Sequence, residues 1–362
     1  MKITKKQLEA AKLFEGALNG DMKSTNALVE GISTSDIPVQ LSPTFERIAL
    51  NQYEGVEKIW TQWATRYKVD TFESQPFYDF TWGDETIEPA NAGKNFVSGS
   101  LPHIPEYDEY PTLTLAATDR QIKTRKGGVQ VKFSWEALQR NRNFNLVQRA
   151  FEEFGQRAGF LENEEATRPL VTESGLNTAN FNADNQNLLD GNLPLSLEAL
   201  EAAIEQLGTQ TYNGRRVRGG RYVLVVPRTL EMTARRILSI DQVTQVEGAG
   251  TENELRYVSG NPVAGKFDLV VNDYITDIAG SAADGFWFIL PVPGSQPNPS
   301  VLNVFLSGEE TPKVFVKKTT NSAPEEGDFI DDSYSTKTRH VVAGGFVLPA
   351  GTMVSDGSGS GN

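Results

Sequence analysis

Over residues 5–18 the apolar side chains Leu8, Ala11, Phe14 and Leu18 fall on one face at helical spacing, which predicts a short amphipathic helix. Gly20 and Asp21 interrupt it, and Asp21 is placed to cap a second short helix running to about Val29. A polar stretch with Pro38 and Pro43 precedes another apolar-periodic segment that carries Ile48, Tyr53, Val56, Ile59 and Trp60. Between 66 and 133 the texture turns aromatic and β-branched: YKVD, FYDFTW, TLTLAAT and VQVKF read as strands. They flank a polar stretch over 83–109, rich in Gly, Pro, Asn and acid, with no helical period. A structureless insertion of that size inside a compact body is uncommon. The flanking strands are therefore read as the antiparallel arms of one long excursion.

The strongest helical pattern follows. Val147, Phe151, Phe154, Ala158 and Leu161 form an apolar stripe, with Glu152, Glu153, Arg157 and Glu162 assigned to other faces. It starts near Asn145 and is stopped by Pro169, giving a rod of roughly 35 Å. An Asn/Asp-rich loop leads to a helix over 196–208, with Ser196 as N-cap and Gly208 as its stop. Strand 222–227 and helix 229–238 come next, then strands over 267–272, 286–290, 301–306, 313–318, 334–342 and 345–348. The SDGSGSGN end has the composition of a flexible linker. Two sets of strands around one long helix predict an α+β chain with two lobes and a long arm, and there are no internal repeats.

Composition narrows the chemistry. The 362 residues include no Cys and two His, so disulfides, zinc-thiolate sites, iron–sulfur ligation and a Cys nucleophile are excluded. His103 and His340 are too far apart in sequence for an H-E-x-x-H site, and a Ser-His-Asp triad would have to use one of the two. The net charge of −13 argues against gripping nucleic-acid phosphates as a main task. No apolar run approaches the ~20 residues that cross a bilayer, and the N-terminus lacks the continuous apolar stretch of a signal peptide. The expectation is a protein made and used in a cytoplasm.

Several motifs come close to a chemistry and fall short. Residues 260–266, GNPVAGK, fit the first seven positions of a phosphate-binding loop, but Phe267 stands where Ser or Thr would hold magnesium, and a strand follows where a helix is needed. Gly248 and Gly250 begin like a dinucleotide fingerprint, yet Asn253 replaces its third glycine. Glu325, Glu326, Asp328, Asp331 and Asp332 lack the spacing of a calcium loop and read as a solvated charge run. Arg215, Arg216, Arg218 and Arg221 form the densest basic patch; it reads as a contact with an acidic neighbouring subunit or as a solvent-facing hairpin turn. His340 sits in a strand pattern and reads as packed or solvent-facing rather than catalytic. No catalytic, cofactor-binding or metal-binding constellation stands out.

The order of elements is the informative feature. TLTLAATDRQIKTRKGGVQVKFSWEALQR, NLVQRAFEEFGQRAGFLENEEAT, GGRYVLVVPRTLEMTARRIL, NPVAGKFDLVVNDYITD, FWFILPVP, VLNVFLSGEETPKVFV and YSTKTRHVVAGGFVL occur in an order that resembles the tailed-bacteriophage major capsid proteins of the HK97-type fold. The resemblance implies an N-terminal arm (1–45, partly helical) and a peripheral domain with a spine helix (46–69, 119–175 and 319–350). It further implies an extended β-hairpin loop (70–118), a mixed axial domain (176–318) and a flexible tail (351–362). It implies a non-enzymatic shell subunit forming the hexamers and pentamers of an icosahedral head around double-stranded DNA, with no cofactor, no membrane and no sequence-specific DNA contact.

On that reading the extended loop lies over a neighbouring subunit. Phe77, Tyr78, Phe80 and Trp82 would pack on it, and Glu106, Asp108 and Glu109 would pair with its basic patches. Lys94, near the loop tip, is the lysine placed to attempt the Lys–Asn isopeptide bond that some relatives form. Only about 40 residues precede the body, so a separate scaffolding protein is expected, with portal and decoration proteins as further possible partners. The implied location is the virion capsid, assembled in the host cytoplasm. An encapsulin-type nanocompartment shell is the alternative on the same fold, and a soluble hydrolase using one His is the rival from another class.

Overall fold

The computed structural model describes residues 5–19, 21, 23–24, 27, 37–82, 106, 115–134, 145–212, 215–217, 220–247, 255–296, 298–317 and 333–359. It is a mixed helix-and-strand chain built on two sheets with a long helix against the first. In the first sheet Ala64–Val69 pairs with Val301–Leu306, which with Lys313–Val316 lines one edge of Ser333–Phe346, while Arg125–Ser134 pairs along its opposite edge over 333–342. The second sheet runs Phe267–Val271, Tyr222–Val226, Trp287–Pro291, Met353–Ser355.

The long helix spans Asn145–Thr167, and Pro169 follows two residues on. Its stripe is buried as the spacing requires, with Val147, Phe151 and Phe154 at 1% exposure or less. Phe151 stacks on Phe45 at 4.1 Å between ring centroids, and Phe45 meets Phe14 edge-on at 5.3 Å, so the N-terminal helices Lys5–Leu18 and Ile37–Gly55 share this core. Each such ring contributes about 2–3 kcal/mol by burial. Gly155 and Gly159 bring the two longer helices together: a Cβ on Gly155 would stand 2.0 Å from the Ala49 carbonyl oxygen, and one on Gly159 2.7 Å from the Val56 Cβ.

A second cluster lies between the sheets, joining Phe305, Val342 and Phe346 of the first to Val223, Val225, Phe288 and Leu290 of the second through Trp60, Trp63 and Phe181. A third fills the far side of the second sheet, where Leu200 and Leu207 of helix Leu197–Thr209 meet Leu224, Trp287 and Met353. The Ser196 side chain caps that helix by accepting from the Ala199 N–H at 3.1 Å.

Several expectations are corrected. The 37–55 helix starts ahead of the apolar-periodic run and crosses the expected boundary at 45. Pro38 falls in its first turn, where the missing N–H has no intrahelical acceptor anyway, and the buried Phe45, Ala49 and Tyr53 hold the helix past Pro43. The 176–318 segment is not one lobe. Val301–Leu306 is buried at every position and is completed by Ala64–Val69 and Ser333–Phe346, so it belongs to the first sheet, as does Lys313–Val316.

The stretch 351–362 is not simply a flexible tail. Met353–Ser355 is a fully buried edge strand on Trp287–Ile289, and the Ser355 hydroxyl donates to the Leu193 carbonyl at 2.7 Å. The two late strands are a single one, Ser333–Phe346. Its glycine pair does not break it, because a Cβ on Gly344 would meet the Glu165 carbonyl oxygen at 1.8 Å and one on Gly345 the Ile122 side chain at 2.0 Å. Strands Gln242–Glu247 and Leu255–Gly260 form a hairpin that the pattern did not announce. Asp21 behaves as a cap, its carboxylate accepting from the Lys23 and Ser24 N–H groups at 3.2 Å each.

Candidate functional site

The arms of the expected excursion are there: Gln75–Trp82 pairs antiparallel with Leu115–Ile122, from Gln75↔Ile122 to Trp82↔Leu115. Among the described residues this ribbon joins no other strand. Its root is anchored by Ile122, buried with Val69, Leu302, Val304, Ala343 and Val347. Phe77 is used within the chain, packing on that cluster and on Tyr67 edge-on at 5.0 Å. Tyr78 points the other way and is 58% exposed. Glu106 is exposed. The side chains of Phe80 and Trp82, and all of Lys94, Asp108, Glu109 and His103, lie outside the described residues.

The arginine patch sits on a small hairpin, Thr211–Tyr212 paired with Arg215–Arg216. Arg216 is exposed, and Arg221 reaches Asp268 at 3.1 Å with both side chains largely in solvent. An ion pair that open contributes under about 1 kcal/mol. The Arg215 side chain and Arg218 lie outside the described residues. Residues 260–266 form a turn that enters strand Phe267–Val271, so no helix N-terminus faces that turn. Gly248, Gly250, Asn253 and the acids at 325–332 are likewise outside the description. Among the described residues no group of three or more His, Asp or Glu could hold a metal ion, and no helix is long and apolar enough to cross a membrane.

The most constrained polar cluster centres on Glu162, a residue assigned to another face, and includes His340, which is packed within its strand. Glu162 does not sit on a polar face of the long helix; it is 1% exposed. The stripe's own spacing carries through Ala158 to Glu162 one turn on, a continuation that the sequence contained. Its Oε1 accepts from the Tyr53 hydroxyl at 2.5 Å and faces His340 Nε2 at 2.9 Å, and its Oε2 accepts from Trp60 Nε1 at 3.2 Å. Burial, reinforced by the Glu162 charge, holds the Tyr53 phenol far above its ordinary value. His340 packs against the rings of Tyr53 and Phe305, and its Nδ1 has no hydrogen-bond partner among the described residues. Neighbouring Asn163 accepts from the Trp60 N–H at 3.4 Å and donates to the Glu57 carbonyl at 3.0 Å.

This cluster cross-links four elements and offers a reactant no way in. A buried carboxylate with three polar partners converging on it is a structural tie. The open clefts are elsewhere. One of about 730 Å³ separates the long helix from the second sheet, with Phe160, Arg228 and Tyr274 among its walls; another, of about 540 Å³, lies at the ribbon's root. At the sheet edge, Glu309 joins Lys313 at 2.8 Å and Arg339 at 2.9 Å, and those hydrogen bonds, Lys313's the larger, hold its carboxyl below the usual range.

A family model described as phage capsid protein matches residues 117–353. No curated protein matches the chain. Among solved structures, it is similar to one from Mycobacterium phage Patience, at 12% identity and a TM-score of 0.44, over 87% of this chain and 86% of that one. It is similar to the holo-SrpI encapsulin complex from Synechococcus elongatus PCC 7942, at 8% identity and a TM-score of 0.44, over 82% and 88%. The capsid of Myoviridae phage XM1 is similar at 13% identity and a TM-score of 0.42, over 79% and 88%.

Proposed function

The chain belongs to the phage capsid protein family, and from that premise we propose that it is the major shell subunit of a tailed-phage head, of HK97 type. It assembles with copies of itself into hexamers and pentamers around double-stranded DNA. The observation that carries this reading is the two-stranded ribbon Gln75–Trp82 with Leu115–Ile122, which joins no further strand among the described residues. An isolated two-stranded ribbon is marginal in water and needs a third strand or a packed face. Phe77 covers one side near the root, and the exposed Tyr78 leaves the other side to a partner.

The work is done by surfaces. Phe80, Trp82, Glu106, Asp108 and Glu109 are the extended loop's contacts with a neighbouring subunit, and Arg215, Arg216, Arg218 and Arg221 meet acidic groups of another copy. A chain of net charge −13 suits an inner wall that encloses DNA without holding it. Catalysis has no part in this role, and scaffolding, portal and decoration proteins are its natural partners.

Electron microscopy and sedimentation of the purified protein test the proposal. Closed icosahedral particles are expected, and a stable monomer at high concentration overturns it. Particles that carry enzyme cargo in place of DNA would instead identify an encapsulin-type compartment.

A further inference from the structure

At the root of the ribbon, Arg120, Lys123 and Arg125 converge with Arg168, at the end of the long helix, around the cavity of about 540 Å³. Arg168 is held by Glu164 at 2.6 Å and Glu165 at 3.0 Å. Arg120 lies over the Phe346 ring at 5.6 Å. Among the described residues Arg120, Lys123 and Arg125 form no ion pair, and Glu165 is the one carboxylate in the wall. Burial holds the Glu165 carboxyl above its usual range, against the opposing pull of Arg168 and Arg125. A concave positive site is thus open on a chain with a large acidic excess.

The matching charge is in the sequence. Glu325, Glu326, Asp328, Asp331 and Asp332 immediately precede the strand Ser333–Phe346. The cavity is lined from the other end of that strand, by 343–346. Ser333 and Ala343 are ten residues apart along it, about 33 Å at strand rise. Glu325, eight residues before Ser333, reaches at most about 28 Å from it at full extension. Only a segment running fully extended back along its own strand would bring one of these carboxylates near the cavity of its own chain. Complementary groups at opposite ends of one strand pair between copies, head to tail, and a head-to-tail contact that closes makes a ring.

We propose that the Arg120–Lys123–Arg125 cavity receives the carboxylates of segment 325–332 from a neighbouring copy of this chain. The inference rests on the self-assembly proposed above and names one of its contacts. A DNA duplex fits less well, because three cations around one cavity release few counterions and the net charge repels a polyanion.

The absence of cysteine makes the contact directly testable. Lys123→Cys is combined in turn with Glu325→Cys, Glu326→Cys or Asp328→Cys, and the assembled protein is oxidised and run on a non-reducing denaturing gel. A disulfide needs Cα atoms within about 7 Å. At least one pair should give a ladder of covalent multimers, and mixed single-cysteine chains should stop at dimers. Monomers throughout, or a bond within one chain, overturn the proposal.

As a second measurement, Lys123→Glu with Arg125→Glu should cut the shell yield about tenfold, and adding Glu325→Lys with Glu326→Lys should restore it. Unchanged yield overturns the proposal. So do rescue by reversing Glu106, Asp108 and Glu109 instead, which would give the cavity to the extended loop, and intact shells with altered DNA content. A parent chain that stays monomeric overturns the shell reading and this contact with it; a parent that assembles beside unaffected variants overturns the contact alone.

Discussion

His340 Nε2 lies 2.9 Å from Glu162 Oε1, with both side chains closed off from solvent. The Nε2–H tautomer of His340 is the one that can donate to a carboxylate oxygen. Tyr53 and Trp60 donate to the same carboxylate. One side chain on the long helix thereby ties together the 37–55 helix, the turn after it and the longest strand of the first sheet.

Removing the acceptor should therefore cost more than removing any one donor. Glu162→Leu strands three buried donors and is expected to destabilise by about 3–5 kcal/mol. His340→Phe leaves the carboxylate with two donors and is expected to cost about 1–3 kcal/mol. Urea unfolding of the unassembled chain gives both values, and the reverse order would show that Glu162 is not the hub.

The same cluster sets a limit at alkaline pH. The Tyr53 phenol titrates far above its ordinary value because it is buried and faces Glu162. The folded state thus holds this proton more tightly than the unfolded chain, whose tyrosines ionise near pH 10. The stabilisation is complete below about pH 10 and is lost as pH rises above it. Tyr53→Phe should lower stability at pH 7 and flatten its fall between pH 9.5 and 11. Parallel pH curves for parent and variant would place the phenol in contact with water.

Gly155 offers a test in which sign, not size, decides. On an exposed helix Gly→Ala stabilises by about 1 kcal/mol. Here the added Cβ would stand 2.0 Å from the Ala49 carbonyl oxygen, a backbone atom that cannot swing aside. Gly155→Ala should destabilise by about 1–3 kcal/mol, read as a lower thermal midpoint. A higher midpoint would mean that the 37–55 and 145–167 helices are not in close contact.

What the sequence disclosed and what it hid follow from how far each signal reaches. The Val147–Phe151–Phe154–Ala158 stripe is local and strong, and the helix it marks stops where Pro169 requires. The ribbon arms were legible because aromatic and β-branched residues flank a stretch with no period. Sheet membership was not, since Val301–Leu306 could have joined either set of strands until its partners Ala64–Val69 and Ser333–Phe346 were known. Met353–Ser355 hid behind a Gly/Ser-rich end because three residues carry no period of their own. Glu162 was misplaced by its charge, although its spacing put it on the buried face. The root cavity was invisible for a further reason: Arg120, Lys123 and Arg125 meet Arg168 only when the ribbon turns back onto the sheet.

Deleting residues 84–109 separates folding from assembly. The deletion removes neither the ribbon strands nor any part of the three large cores, which draw on the N-terminal helices, the long helix and both sheets. The shortened chain should keep the parent's far-UV circular dichroism, and its thermal midpoint should stay within a few degrees. What it loses is the acid-rich segment holding Glu106, Asp108 and Glu109, whose carboxylates are assigned to a neighbouring subunit. Contacts of that kind are repeated at every subunit of a shell, so even about 1 kcal/mol per copy shifts assembly strongly. Micrographs of the deletion should therefore show no closed particles, with sedimentation confined to monomers and small rings. Normal shells would remove the extended loop from the assembly mechanism.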